Sequence, residues 1–228
     1  MISRNKLKRR ICAIGLSLVI ELRKNVMKNL APIVQLFTIF VLPILLLFVN
    51  IIPPKYSLYV LAAITLISII FAYYEKWSLQ DFGLHFREFK KSVVAYIIFT
   101  TVICMLTLVL AKILNKSTLE NWWTYSHFQY QFLIISVAQE VIYRGFLLQK
   151  LKLLFGSVKM VILINAFLFA LLHILFPNPI MSFATTFLLG VGFAGIYYRF
   201  PSLILISISH AVINFVSLLH CFVNPYCS

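Results

Sequence analysis

Seven apolar runs of membrane-spanning length dominate this chain of 228 residues. An α-helix rises about 1.5 Å per residue, so about 20 apolar residues are needed to cross roughly 30 Å of hydrocarbon. Because lipid offers the backbone no hydrogen bonds, runs of this length form helices that satisfy their own N–H and C=O groups. The pattern predicts an all-α, polytopic transmembrane bundle. The predicted spans are about 31–52, 57–74, 92–113, 130–148, 159–176, 180–198 and 202–222.

The composition supports a membrane protein and argues against a soluble one. Apolar types make up 62% of the residues and charged types 11%, with a mean hydropathy of +0.97. The net charge is +14, but the basic residues lie between the apolar runs and form no array that could line a nucleic-acid groove. We therefore expect the lipid bilayer, and no nucleic acid, as the partner of the basic residues.

Residues 1–30 differ from the predicted bundle at 31–228. They carry eight lysines and arginines, and their apolar insert at 11–20 is too short to span a bilayer. They are predicted to form a basic helix on the membrane surface, with a frayed basic tail as the alternative. If the N-terminus is cytoplasmic, 16 of the 20 lysines and arginines fall on inner segments. This asymmetry predicts a multi-pass protein of the cell membrane with its N-terminus in the cytoplasm.

The fourth predicted span contains Glu140, the only acid in any of the seven spans, together with Arg144. Residues four apart lie on one face of a helix, so these two side chains can reach each other. A charge at bilayer depth costs at least a few kcal/mol, so each needs a partner or a chemical role. Spans five and seven add His173 and the pair His210 and Asn214, which are also four apart. Such groups should point into the bundle, and together they predict an internal polar chamber.

This set of side chains suits the hydrolysis of an amide bond. A carboxylate in a dry site can accept a proton from water, which is the role predicted for Glu140. His173 can orient that water or protonate the leaving amine. His210 with Asn214 can donate hydrogen bonds to the developing oxyanion. Structural roles stay open for all of them: a buried ion pair for Glu140 with Arg144, a hydrogen-bonding pair on span seven, and a satisfied interfacial histidine on span five.

No metal site and no other cofactor is expected. Zinc is the alternative, because one glutamate and two histidines can ligate it. However, the HExxH motif is absent, and no two histidines lie four apart on one predicted helix.

Three short motifs in these spans resemble those of the CAAX protease and bacteriocin-processing family (CPBP, or Abi). The family's EExxxR, FxxxH and HxxxN motifs correspond to residues 139–144, 169–173 and 210–214 of this chain. The loop at 81–84 is similar to the segment that precedes the family's core. The resemblance covers about residues 79–215.

The resemblance implies an all-helical intramembrane protease of the glutamic type. In that family the first Glu activates water, and the resemblance implies that His173 would help it. His210 and Asn214 would stabilise the tetrahedral intermediate, and Arg144 would organise the acidic pair. In this chain the first acidic position is Gln139, and a neutral amide cannot act as a general base.

Three consequences of Gln139 for catalysis stay open. Adjacent helix positions point about 100° apart, so Glu140 could take over only after a helix rotation. Alternatively, Gln139 could position water while Glu140 or His173 removes the proton, with Tyr143 and Arg144 as further supporting residues. In the third outcome hydrolysis is lost and the chamber only binds.

The sequence thus predicts an intramembrane endopeptidase that cleaves a peptide or a small membrane-associated protein. The resemblance implies a role such as bacteriocin immunity or peptide maturation. The alternative is a catalytically degenerate immunity or binding protein, which Gln139 at the base position favours. A small transporter has less support, because the spans contain one acid and no obvious inverted repeat.

Overall fold

The computed structural model describes residues 30, 32–84, 89–125, 131–176 and 178–222. Over these ranges the chain forms helices and turns and no β-strand, which confirms the predicted all-α class. Apolar helices lie at the positions of all seven predicted spans. They are α1 (Pro32–Phe48), α2 (Pro54–Tyr74), α3 (Phe89–Ile113), α4 (Phe132–Leu154), α5 (Val158–Leu175), α6 (Pro179–Arg199) and α7 (Leu203–Leu219).

The chain divides into two units, residues 1–38 and residues 39–228. In the first unit only residues 30 and 32–38 are described, and they are helical. The predicted interfacial segment at 1–30 therefore lies outside the described residues, apart from Leu30. The second unit holds the end of α1, helices α2 to α7 and every site residue discussed below.

Within the described ranges five helices, α2 to α6, are long and apolar enough to cross a membrane, whereas α1 and α7 are shorter than the predicted spans. The chain after α1 turns at Asn50, whose φ of 63° lies in the left-handed region and cannot continue a helix. α7 begins after Ser202, whose Oγ caps it by accepting a hydrogen bond from the Leu205 N–H at 3.4 Å. The chain is a multi-pass helical membrane protein.

α4 is the central helix of the second unit. In the most apolar 18-residue stretch of α4, 56% of the residues are buried, against 6% in α3 and 11% in α2. α2 and α3 therefore turn most of their side chains outward. α4 is not a regular α-helix. π-Helical turns at Gln131–Ile135 and Val141–Leu147 flank the α-helical segment Ser136–Glu140. π-Turns are rare and are frequent at functional sites, and the apolar pattern of the sequence does not reveal them.

Two glycines in α6 allow close contacts with neighbouring helices. A Cβ at Gly190 would lie 3.1 Å from the Cα of Ala166 in α5. A Cβ at Gly192 would lie 2.9 Å from a ring carbon of Phe99 in α3. These small residues let α6 lie close to both helices.

The loop at residues 77–84 docks on α6 and on the start of α7. The Tyr197 hydroxyl donates to the carbonyl oxygen of Phe82 at 2.8 Å, and the Leu203 N–H donates to the carbonyl oxygen of Gly83 at 3.1 Å. Both bonds join residues more than a hundred positions apart, so the loop ties the first half of the second unit to its last two helices.

Replacing Gly83 by alanine is expected to lower the free energy of unfolding by about 2 kcal/mol. The φ of Gly83 is +71°, which strains any residue with a Cβ, and the new Cβ would collide with the Tyr197 hydroxyl. Thermal unfolding in detergent would measure the loss. Gly156→Ala is the matched control, since a Cβ there has nothing within 4 Å. Equal melting temperatures for the two variants would contradict this role of Gly83.

Candidate active site

Glu140 ends the α-helical segment of α4, and 0% of its surface is exposed. Its Oε1 accepts a hydrogen bond from Arg144 Nη1 at 3.2 Å and lies 2.6 Å from His210 Nδ1 in α7. With the carboxylate ionised, Nδ1 carries the proton in this contact. Oε2 has no hydrogen-bond partner among the described residues. The structure thus brings three predicted site residues together from two helices.

The Arg144 guanidinium is buried between aromatic rings. Its Cζ lies 4.4 Å from the ring centroid of Phe169 in α5 and 5.2 Å from that of Phe193 in α6. These cation–π contacts replace part of the hydration that the guanidinium loses on burial. Its Nε and Nη2 make no hydrogen bond within the described part of the chain. Glu140 is therefore its anionic partner, at the i, i+4 spacing seen in the sequence.

His173 lies in the 3₁₀ turn Leu172–Leu175 that ends α5. Its Nδ1 is 3.1 Å from the carbonyl oxygen of Phe169, and because a carbonyl only accepts, Nδ1 carries the proton and Nε2 keeps its lone pair. The Phe169 ring contacts both imidazoles, with centroids 5.2 Å from His173 and 5.7 Å from His210. His173 is partly exposed, whereas His210 is buried. The two histidines share an aromatic neighbour but differ in access.

Asn214 contacts α4 one turn before Glu140. Its Nδ2 donates to Ser136 Oγ at 2.9 Å, and Ser136 Oγ donates in turn to the carbonyl oxygen of Phe132. Asn214 lies one turn after His210 on α7, but its bond is to the serine and not to the carboxylate. Sequence reasoning missed Ser136. Its position four residues before Glu140, on the same helix face, is the signal that could have found it.

Asn165 in α5 supports the π-helical turn that follows Glu140. Its Nδ2 donates to the backbone carbonyl oxygen of Tyr143 at 2.7 Å. A π-turn departs from regular α-helical pairing, so a side-chain donor to one of its carbonyls stabilises this conformation. The Tyr143 ring packs edge-on against Phe169, with centroids 5.2 Å apart. Tyr143 thus supports the cluster through its main chain and its ring.

Gln139 and Glu140 are adjacent in sequence but face different surroundings. Gln139 is 5% exposed and lines a cavity of about 640 Å³. Glu140, His173 and His210 do not line it. The offset of about 100° between adjacent helix positions accounts for this separation. Of the polar groups predicted to share one chamber, Gln139 faces this cavity, whereas Glu140 and His210 are buried apart from it.

Glu140, His173 and His210 are the side chains that the sequence offers as zinc ligands. Structural and catalytic zinc sites use at least three protein ligands. Among the residues that the structure describes, no group of three or more His, Cys, Asp and Glu side chains is arranged to hold a metal ion. Glu140 and His210 come together as a pair, and Arg144 completes their surroundings as a cation.

Residues 121–216 match a family model described as type II CAAX prenyl endopeptidase Rce1-like. The matched range runs from the turn before α4 into the second half of α7 and contains every predicted site residue. No curated protein and no solved structure matches the chain. The family match confirms the resemblance to CAAX proteases that the three motifs indicate.

Proposed function

We propose that this chain, a multi-pass membrane protein whose residues 121–216 match the CAAX endopeptidase model, is an intramembrane endopeptidase. The observation that carries the proposal is the contact of 2.6 Å between Glu140 Oε1 and His210 Nδ1 inside the bundle. A carboxylate and an imidazole are costly to bury at membrane depth, and such pairs orient and polarise histidines in hydrolases. The substrate is a peptide or a small membrane-associated protein, cleaved within or at the edge of the bilayer.

His173 acts as the general base in this proposal. Its Nε2 keeps a lone pair because Nδ1 donates to the Phe169 carbonyl oxygen. His173 is also partly exposed, whereas Glu140 is sealed and its Oε1 already engages two donors. Nε2 takes a proton from water as the water oxygen bonds to the carbonyl carbon of the peptide. The same proton passes to the leaving amine as the C–N bond breaks.

His210 and Asn214 stabilise the oxyanion of the tetrahedral intermediate. In its imidazolium form, with Nδ1–H bonded to Glu140 Oε1, His210 donates its Nε2–H to that oxygen. Asn214 uses one amide hydrogen on Ser136 and offers its second to the same oxygen. Glu140 thus acts as an orienting group rather than as the base, and Arg144 holds it in one rotamer.

The proposal is tested by mass spectrometry of membrane peptides. Membranes from cells that make the wild-type chain are compared with membranes from cells that lack it, and the candidate substrate is then cleaved by the purified chain in liposomes. We expect a product pair that sums to an intact membrane peptide and appears only with the wild type. The absence of any such pair, with the chain correctly inserted, would refute the peptidase.

A non-cleaving binding protein, for example an immunity factor against a bacteriocin, is the second candidate. Gln139 at the position of the family's first Glu and the sealed state of Glu140 favour it. The two candidates differ in the behaviour of His173→Ala. A binder protects cells in this form as well as in the wild-type form, whereas a protease loses the protection.

We also propose that the N-terminus and the loop at 77–84 lie on the cytoplasmic side. The support is the distribution of basic residues, with 16 of 20 on the inner segments and only Lys55 and Lys116 on the outer ones. In intact cells a membrane-impermeant thiol reagent should label Lys55→Cys and spare Lys76→Cys. The reverse labelling would show the opposite orientation.

A further inference from the structure

The cavity beside Gln139 has a neutral lining. Its volume of about 640 Å³ is in the range of ligand pockets, and it lies among the end of α1 and helices α2, α4 and α5. Fourteen of the described residues line it, and none of these is charged. The polar ones are Asn50, Ser57 and Gln139, and the others are aliphatic, aromatic or proline. A charged group that entered would find no counter-ion there, so the cavity favours uncharged occupants.

Gln139 is the polar group placed to bind an occupant. It is 95% buried, since 5% of its surface is exposed, and its side-chain amide makes no hydrogen bond to another described residue. Its amide atoms are not fully enclosed by protein, so they reach the open space of the cavity. A glutamine offers a donor and an acceptor side by side. The N–H and C=O of one residue in an extended segment present the complementary pair, whereas the acyl chain of a lipid presents neither.

The cavity also adjoins the proposed catalytic cluster. Gln139 is the residue before Glu140, and the cavity wall includes Leu172 and Ile174, the two neighbours of His173. A chain that occupies the cavity therefore lies next to the segment that carries the proposed base. The glutamine that cannot serve as a base is placed to hold the substrate.

We infer that Gln139 is a positioning residue that hydrogen-bonds the main-chain N–H and C=O of one residue in an uncharged, apolar polypeptide segment held in this cavity. The inference rests on the proposed peptidase function and names its substrate class. The apolar walls take the side chains of the segment, and Gln139 fixes its register along the cavity. Lysine, arginine, aspartate and glutamate are excluded from the part of the segment that enters.

Binding is measured with the full chain in lipid nanodiscs and in the His173→Ala background, so that the probe is not consumed. The probes are a short leucine–alanine peptide with a photoreactive group, the same peptide with one central lysine, and a photoreactive fatty acid. We expect the apolar peptide to label residues of α2, α4 and α5, and the lysine peptide to bind about tenfold more weakly. Gln139→Leu should weaken binding of the apolar peptide about tenfold, because the N–H and C=O of that residue then stay unpaired.

A variant that reverses the preference between the two peptides distinguishes a positioning role of Gln139 from a structural one. Gln139→Glu should weaken the apolar peptide and strengthen the lysine peptide, since the new carboxylate supplies the missing counter-ion. Gln80→Leu, which changes an exposed glutamine of the 77–84 loop, is the matched control and should bind as wild type. A loss in Gln139→Leu with no change of preference in Gln139→Glu would overturn the inference.

Two further results would overturn it as well. One is equal affinity of the wild type and Gln139→Leu for the apolar peptide. The other is labelling of the cavity by the fatty acid that an excess of the apolar peptide does not reduce. Failure of the proposed function looks different, because a chain that binds the peptide through Gln139 and never cleaves any peptide refutes the peptidase and leaves the binding role of Gln139 intact.

Discussion

The variant Arg144→Met is expected to lose about 3–5 kcal/mol of unfolding free energy, because it removes the permanently charged partner of the buried Glu140 carboxylate. Glu140 has no exposed surface, and Arg144 is its cationic partner at 3.2 Å. Methionine fills much of the space between Phe169 and Phe193, so packing contributes less than charge to the loss. Equilibrium unfolding in mixed micelles, followed by circular dichroism, would measure it.

Two companion variants separate charge from packing. The double variant Glu140→Gln/Arg144→Met should recover most of the loss, because it removes both members of the ion pair. Lys112→Met, at the exposed end of α3, should stay within about 0.5 kcal/mol of wild type. If the single and double variants unfold alike, the stacking of the guanidinium on its aromatic neighbours holds the site, and charge balance does not.

The variant His173→Ala is expected to lower kcat by about 10²–10⁴-fold, the usual contribution of a positioned general base. KM should change little, since His173 does not line the cavity proposed to hold the substrate. Its stability should also change little, because His173 is partly exposed and, among the described residues, its imidazole hydrogen-bonds only to the Phe169 carbonyl of its own helix. Single-turnover cleavage of the identified substrate in liposomes would measure the rate of the chemical step.

His220→Ala is the matched control for this variant. His220 follows the end of α7, where its Nδ1 lies 3.4 Å from Thr118 Oγ1, and it should leave kcat unchanged. The assignment of the base depends on the comparison with Glu140→Gln. If His173→Ala cleaves at the wild-type rate and Glu140→Gln does not cleave at all, then the unpaired Oε2 of Glu140 is the base.

The helices were predictable in number and position, but their internal geometry was not. Apolar runs of about 20 residues placed α2, α3, α5 and α6 within three residues of their observed ends, whereas α4, predicted to end at 148, continues to Leu154. The π-turn at Val141–Leu147 leaves no mark in the apolar pattern. It depends on contacts such as the Asn165 bond to the Tyr143 carbonyl, which joins two helices. The apolar pattern of one helix cannot predict a hydrogen bond whose donor lies on another helix.

The ingredients of the candidate site were predictable from the sequence, and their arrangement was not. The i, i+4 spacing indicates the Glu140–Arg144 pair, because both ends of that contact lie on one helix. No spacing indicates that His210, rather than His173, lies on the carboxylate, because those residues are many helical turns away along the chain. The role of Ser136 could not be predicted from the sequence for the same reason, since it depends on the hydrogen bond from Asn214 in α7.

By itself, the sequence determined that this chain is a helical membrane bundle with inward-facing polar groups. Lipid leaves a long apolar backbone no alternative to the helix, and it leaves a charge at that depth no alternative to the interior. Only the tertiary structure decided that Glu140 pairs with His210 while Gln139 turns to a neutral cavity. Which of two adjacent residues contacts a distant helix depends on how each helix is rotated and packed. That rotation is set by contacts between helices that are far apart in the sequence.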